Sequence, residues 1–403
     1  MKDLKYLIYF EKLLEDADNE LVRKAKAEGK LALGYSCYYV PEVLLDLPGC
    51  FSTRLRAPRT ESTDIATYYM TNKICSYTRS ILEYAVTGGY NYLDALLSSE
   101  TCQMMHRGHE HFEILSLVKE NPRFFLTMMD VPFNDGEDAL AHYEQQIETI
   151  LLQPLHERLG IDIGEEAIRS AVEEHNRLCR VIGAIGEMRK ERNPVITAYE
   201  FHVINVVSQV CPKYLILPYL EETLEELKTR EPDPKSQWRA RLVLTGSEMD
   251  NPEFTKVFES CGAYVCADRY CWGSKPGREE IEIGEGETAL HAVARHYLRS
   301  SKCPRFMPRK NADERLAYIK QLAEEYHADG IVYESMKFCE FWGYERVIGT
   351  HLMTGESGLP VMGLEREYAV SSVGQLRTRI QAFIESIEIK KLNDSDKTIG
   401  GNS

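Results

Sequence analysis

The stretch YLDALLSSETCQMMHR, Tyr92 to Arg107, decides the fold. Leu93 to Leu97 is an apolar run of strand length, small polar residues follow, and Cys102 leads into a polar, helix-compatible segment. In an alternating α/β chain this reads as a strand, a loop at its carboxyl end and a helix start, where ligands and cofactors gather. The same grammar returns in ADGIVYESMKFCEFWG, where Ile331 to Tyr333 precedes a short loop and Cys339. Upstream, Cys75 opens the helical-looking segment CSYTRSILEYAV. Two cysteines at strand ends and one at a helix start make Cys75, Cys102 and Cys339 the candidate constellation.

Working outward, residues 1 to 29 read as one or two helices stopped by Gly29, and Leu31 to Gly34 as the first strand. Pro41-Glu42 starts a short helix. Cys50 reads as part of a Pro-Gly-Cys turn, and Arg54, Arg56 and Arg59 as the charges of a polar loop open to solvent or to an anionic partner. Phe124 to Val131 is a further strand. From Gly136 to about Arg192 the periodicity is helical, broken near Gly160 to Gly164, with another helix over Ala198 to Val210. After the linker Glu231-Pro232-Asp233-Pro234, strands and helices alternate again to about residue 390. The expected architecture is α/β, with two flavodoxin- or Rossmann-like parallel-sheet domains and an additional helical lobe. The boundaries are an N-terminal α/β domain at 1–135, the lobe and linker at 136–232, a C-terminal α/β domain at 233–390 and a disordered tail at 391–403.

The whole chain bounds what these domains can do. A net charge of −15 over 403 residues argues against nucleic acid and against an anionic membrane surface. No apolar stretch approaches a membrane span, and the charged N-terminus lacks a signal-peptide core, so a cytoplasmic location is expected. The odd count of 11 cysteines in so long a chain is no secreted disulfide framework. Cys50, Cys179, Cys211, Cys261 and Cys266 sit at core spacing, at turns or at element ends and read as small buried hydrophobes. Cys37, Cys271 and Cys303 lie in loops, where function is open.

Familiar signatures are missing or weak. There is neither GxGxxG after a strand nor GxxxxGK[ST], so nucleotide in a standard phosphate loop is not expected. Gly273-Ser274-Lys275-Pro276-Gly277-Arg278 either meets phosphates or simply turns. His106 and His109 share a helix face, but His111 points away, so a polar helix start is the better reading than zinc. Three thiolates that leave one position open suit an iron–sulfur cluster with a free iron, although widely separated cysteines match no compact motif.

Taken jointly and in order, several motifs resemble the subunits of the 2-hydroxyacyl-CoA dehydratase and benzoyl-CoA reductase family over nearly the full chain. They are Gly34-Tyr35-Ser36-Cys37 with Val40-Pro41-Glu42, Cys75-Ser76-Tyr77-Thr78-Arg79, Glu100-Thr101-Cys102 and Lys337-Phe338-Cys339. Leu359-Pro360, Gly374-Gln375-Leu376-Arg377-Thr378-Arg379 and Ala382-Phe383 complete the set.

The resemblance implies two flavodoxin-like domains, a homologous second subunit and an oxygen-sensitive [4Fe–4S] cluster on three cysteines that map to Cys75, Cys102 and Cys339. It also implies an ATP-dependent iron–sulfur activator that injects a low-potential electron, and an acyl-CoA substrate. The implied activity is that of an (R)-2-hydroxyacyl-CoA dehydratase, a hydro-lyase of anaerobic metabolism. One-electron reduction of the thioester to a ketyl lets the α-hydroxyl leave and acidifies the β-proton, and the electron is then returned. The alternatives are a benzoyl-CoA-reductase-like subunit, a double-cubane reductase whose cluster is extended by cysteines such as Cys37, Cys271 or Cys303, and a supporting electron-relay or structural subunit. The general base is not readable.

Overall fold

The computed structural model describes residues 1–118, 121–234, 237–275, 277–369 and 373–400. Helices α1 (Leu7–Leu13) and α2 (Glu20–Ala27) lead into strand β1 (Leu31–Tyr35). A 3-10 turn at Glu42–Leu45 precedes β2 (Cys50–Arg54), and α3 (Asp64–Met70) and α4 (Ser76–Val86) follow. Then come β3 (Ala95–Ser99), α5 (Gln103–Ile114) and β4 (Phe125–Met129). The helical segment holds α6 (Glu137–Gln146), one π-helical turn at Ile147–Leu152, α7 (Gln153–Leu159), α8 (Glu165–Glu187), α9 (Ala198–Val210) and α10 (Lys213–Thr229). The second half runs β5 (Ala240–Gly246), α11 (Glu253–Ser260), β6 (Ala263–Tyr270), α12 (Ala289–Ser300), α13 (Arg309–Glu325) and β7 (Gly330–Met336). It closes with α14 (Glu340–Glu356), β8 (Val361–Arg366) and α15 (Val373–Gly400).

Each half forms a four-stranded parallel sheet, ordered β2-β1-β3-β4 and β6-β5-β7-β8. The two orders are the same, and each places its third strand beside its first. An aspartate ahead of that third strand fastens the pair in both sheets. Ala32 N–H donates to Asp94 Oδ2 at 2.7 Å while Asp94 N–H returns a bond to the Ala32 carbonyl. Arg241 N–H donates to Asp329 Oδ2 at 2.8 Å, and Asp329 N–H bonds the Arg241 carbonyl. Lys26 pairs with Asp94 and Lys391 with Asp329.

The helices do not stay with the half they are coded in. The core under the N-terminal sheet joins Leu33, Ala95 and Phe125 to Ala167–Val172 of α8 and to Ala289–Leu298 of α12, which is coded after residue 280. The C-terminal core takes in Phe10 and Leu13 of α1 together with Leu178–Ile185 of α8. The long helix α8 therefore serves both cores with its two ends.

Three local readings change. Cys50 is the first residue of β2 rather than a turn, and the strand is buried throughout. Its polar residues are satisfied from afar: Asp46 accepts from Ser52 N–H and Oγ at 2.7 and 2.9 Å, and Thr53 Oγ1 donates to the Val210 carbonyl. Arg54 and Arg56 are buried, Arg56 against Asp250 at 3.3 Å, and only Arg59 is exposed. The last helix α15 runs on to Gly400, past the expected start of a tail at 391, and residues 401–403 lie outside the described residues. Among the described residues, no helix is long and apolar enough to cross a membrane.

Candidate functional site

Cys75, Cys102 and Cys339 share one structural position: each is the N-cap residue of a helix, of α4, α5 and α14 respectively. Cys102 and Cys339 follow the third strand of their sheets, the side of the crevice where the carboxyl ends open. The three side chains belong to one cluster, with Cys75 buried and Cys102 and Cys339 half-buried against it. Burial pushes all three thiols up, Cys102 to about 12, and each of Cys102 and Cys339 is raised further by its neighbours in the trio. The N–H groups of Thr78, Met105 and Trp342, each three residues beyond its cysteine, work the other way and favour thiolate. The positive ends of three helices thus face one group of sulfurs.

Residues from both halves hold these positions. Tyr77 N–H, two residues after Cys75, donates to Met336 Sδ at 3.1 Å. Tyr368 N–H donates to Ser76 Oγ at 2.7 Å, and Tyr368 Oη bonds Asp250 and the Ala57 N–H. Thr78 Oγ1 lies 3.2 Å from Cys75 Sγ. Phe338, directly before Cys339, sits in the left-handed region at φ 66°, with Lys73 and Lys337 each 5.4 Å from its ring centroid. A phenylalanine held there is a strained residue that its surroundings over-determine.

The donor set is all sulfur, drawn from three helix starts, and that is the chemistry of an iron–sulfur cluster. Among the described residues, no three His, Cys, Asp or Glu side chains gather around one ion-sized point. A cubane spaces its thiolates more widely than a single ion does. Helix starts, thiols and enclosure fit such a cluster.

The loop cysteines form a second group that spacing could not bring together. Cys37, Cys271 and Cys303 line one partly open cavity of about 70 Å³. Thr101 Oγ1 donates to Cys37 Sγ at 3.1 Å, and the Trp342 indole N–H donates to Cys271 Sγ at 3.1 Å. Three arginines, Arg54, Arg269 and Arg278, reach the same walls. Burial pushes the Glu248 carboxyl beside them up to about 7, with Arg54 at 3.6 Å opposing. The two groups adjoin: Cys102 senses Cys37, and Cys271 senses Cys339. Cys303 reaches Cys37 because α12, just before it, packs on the N-terminal core.

The remaining motifs resolve plainly. Lys275 pairs with Glu187 at 2.9 Å and Arg278 with Glu42 at 3.3 Å, so the basic residues of the glycine-rich loop are engaged internally. Pro276 of that loop lies outside the described residues. His106 pairs with Glu100, His109 is buried between Ser36 and Ser98 and held neutral by burial, and His111 meets the Tyr69 carbonyl. Cys179, Cys211, Cys261 and Cys266 are buried. An open groove of about 670 Å³ lies between Arg59, Lys256 and Arg377 over Tyr368.

Comparison with known proteins bears on this geometry. The profile of the family described as 2-hydroxyglutaryl-CoA dehydratase, D-component, matches residues 37–387. The chain is similar to the (R)-phenyllactyl-CoA dehydratase beta subunit of Clostridium sporogenes, 23% identical over 385 residues, covering 95% of this chain and 99% of that one. It is similar to lactoyl-CoA dehydratase subunit beta of Anaerotignum propionicum, 24% identical over 366 residues, 90% and 93% of the two chains. The beta subunit of (R)-2-hydroxyglutaryl-CoA dehydratase of Acidaminococcus fermentans is 21% identical over 384 residues, 91% and 95%.

Proposed function

Since the chain belongs to the 2-hydroxyglutaryl-CoA dehydratase D-component family, we propose that it is an iron–sulfur subunit of a 2-hydroxyacyl-CoA dehydratase. In this reading Cys75, Cys102 and Cys339 hold one [4Fe–4S] cluster. The observation that carries it is the shared N-cap position of the three thiols, which turns three helix starts toward one group of sulfurs. Such a cluster supplies a low-potential electron and a Lewis-acidic iron.

The chain's own residues do the rest. The N–H groups of Thr78, Met105 and Trp342 offset the negative charge of the thiolates. Met336, Tyr77 and Phe338 wall the sulfurs from water, and the bonds from Tyr77 to Met336 and from Tyr368 to Ser76 hold the two halves in register. The open groove lined by Arg377, with Arg59 and Lys256 paired to Glu15 and Glu253 on the surface, is the place for the phosphates of a CoA thioester. The beta-subunit names of the relatives support a homologous second subunit. The lack of a phosphate loop supports ATP being spent on a separate activator.

A second reading is a reductase of the same family with an extended, double-cubane cluster acting on a small molecule. Cys37, Cys271 and Cys303 favour it, because they line one cavity beside the first trio. Iron and acid-labile sulfide on anaerobically purified protein separate the two readings. One cubane gives about four irons per chain, and a double cubane about twice that. Serine at Cys75, Cys102 or Cys339 strips the iron in the first reading, while serine at Cys271 leaves it. In the second, serine at Cys271 or Cys303 also lowers it. A preparation that never binds iron, or one that keeps its iron through all three of the first substitutions, removes both.

A further inference from the structure

Charge in the cavity of Cys37, Cys271 and Cys303 does not balance. Arg54 is fully engaged, donating to the Ser36 and Cys271 carbonyls and to Gln209 at 2.8 to 3.1 Å. Arg278 has Glu42 at 3.3 Å. Arg269 is different. Its side chain is buried, one terminal nitrogen meets Thr245 Oγ1 at 3.2 Å and the other the Lys302 carbonyl, both uncharged. Its nearest carboxylate, Glu345, lies 3.9 Å away and is already held by both arms of Arg315 at 2.9 and 3.0 Å. Among the described residues, Arg269 Nε is buried without a hydrogen-bond partner.

A guanidinium buried against neutral groups is costly unless an anion completes it. The wall around it supplies no such anion. Glu248 is the carboxylate on the lining and it faces Arg54, at 3.6 Å. The Trp342 ring lies 5.1 Å from the Arg269 guanidinium, a cation–π contact that brings no formal negative charge, while its indole N–H donates to Cys271. At about 70 Å³ the cavity has room for roughly two waters' share of liquid volume, the size of an anion of a few heavy atoms.

We propose that this cavity binds a compact monovalent oxyanion, a small carboxylate or an inorganic anion of similar size, with Arg269 as its counter-charge. The assignment rests on the first functional reading and goes beyond it; in the second reading a cluster on Cys271 and Cys303 would take the anion's place, and the iron count separates the two. The unpartnered Nε–H gives the anion a charge-assisted donor at a fixed place, held there by the bonds to Thr245 and Lys302, which a lysine's flexible ammonium would not. Cys271 and Cys303 line the same cavity.

The test is calorimetric titration of the anaerobically purified chain with sodium formate and sodium nitrite at constant ionic strength. Saturable, one-to-one heat is expected for the unmodified chain. Arg269→Met should weaken it roughly 10- to 100-fold, the weight of a charge-assisted bond, and Arg269→Lys should restore part of it. Because Arg269→Met also removes two structural bonds, Ser301→Leu is measured alongside: it fills the cavity while keeping the arginine's own bonds, at the loss of the Ser301 contacts to Tyr39 and Cys303, and it should abolish the heat. Circular dichroism establishes that the variant being read is folded. Loss of binding in either folded variant supports the assignment; no saturable heat with the unmodified chain, or heat unchanged in both variants, overturns it. Iron content read on the same samples reports separately on the cluster.

Discussion

Asp94 and Asp329 do the same thing in the two sheets: each accepts a hydrogen bond from the first strand through its side chain and returns one through its own N–H. Each also meets a lysine from a helix far away in sequence, Lys26 or Lys391. The clamp sits at the amino end of the strand whose other end leads to Cys102 or Cys339, so it fixes the direction in which the cysteine is presented.

Replacing Asp94 by alanine leaves the buried Ala32 N–H without its partner, at a cost of about 2 kcal/mol. Urea denaturation of Asp94→Ala should show that loss, and Asp329→Ala a similar one. Asp94→Asn keeps an acceptor and should lose less, since only the ion pair with Lys26 goes. Equal loss in the alanine and asparagine variants would show that the ion pair, and not the clamp, carries the energy.

Gly349 lets α14 lie on β7. A Cβ there would stand 2.3 Å from the ring of the buried Tyr333. Gly349→Ala should therefore push α14 outward and cost about 1–3 kcal/mol by overpacking. Because Cys339 caps that helix, the same variant should retain less iron after anaerobic purification. Gly355, on the same helix with open space around it, is the control, and Gly355→Ala should leave iron content unchanged.

Thr78→Val removes the hydroxyl 3.2 Å from Cys75 Sγ while keeping the shape of a side chain that is fully buried. With Cys75 as a ligand of the proposed cluster, loss of its hydrogen-bond partner would be worth roughly 10-fold in metal affinity. Iron should leave this variant about that much faster under a chelator challenge, with the melting temperature little changed. Identical rates in the two proteins would remove Thr78 from the account.

Glu259 gives a pH dependence unconnected with the cysteines. Burial pushes its carboxyl up to about 7, against the backbone N–H groups of Tyr199 and Ala198. Between the ordinary value of 4.5 and 7 the folded chain therefore keeps a proton that the unfolded chain has released. Stability falls as pH rises through that window, by on the order of 2 kcal/mol for this group. Glu259→Gln should flatten that part of the profile and be relatively more stable at pH 8 than at pH 5. Glu248, also raised to about 7, keeps its own share of the slope.

Local signals carried the elements well. Thr197 and Glu200 form a capping box, and α9 starts where that pair says it should. The apolar runs at Leu93 and Ile331 became the third strands, and the helix starts at Cys75, Cys102 and Cys339 lie where the motifs put them. What stayed hidden depended on partners distant in sequence. CFSTR does not look like a buried strand, because Ser52, Thr53 and Arg54 are made burial-compatible by Asp46, Val210 and Gln209. Cys37, Cys271 and Cys303 were visible as loop cysteines, but their common cavity depends on α12 crossing to the other core, which no periodicity records.

That crossing also sets an order of events during synthesis. The face of the N-terminal sheet is finished by α12 and Phe306, so roughly three quarters of the chain must leave the ribosome before the first sheet can close its core. Leu4 and the apolar side of α1, made first, wait for strands that begin at residue 240. The growing chain therefore carries two unfinished apolar faces for most of its translation, and closes both late.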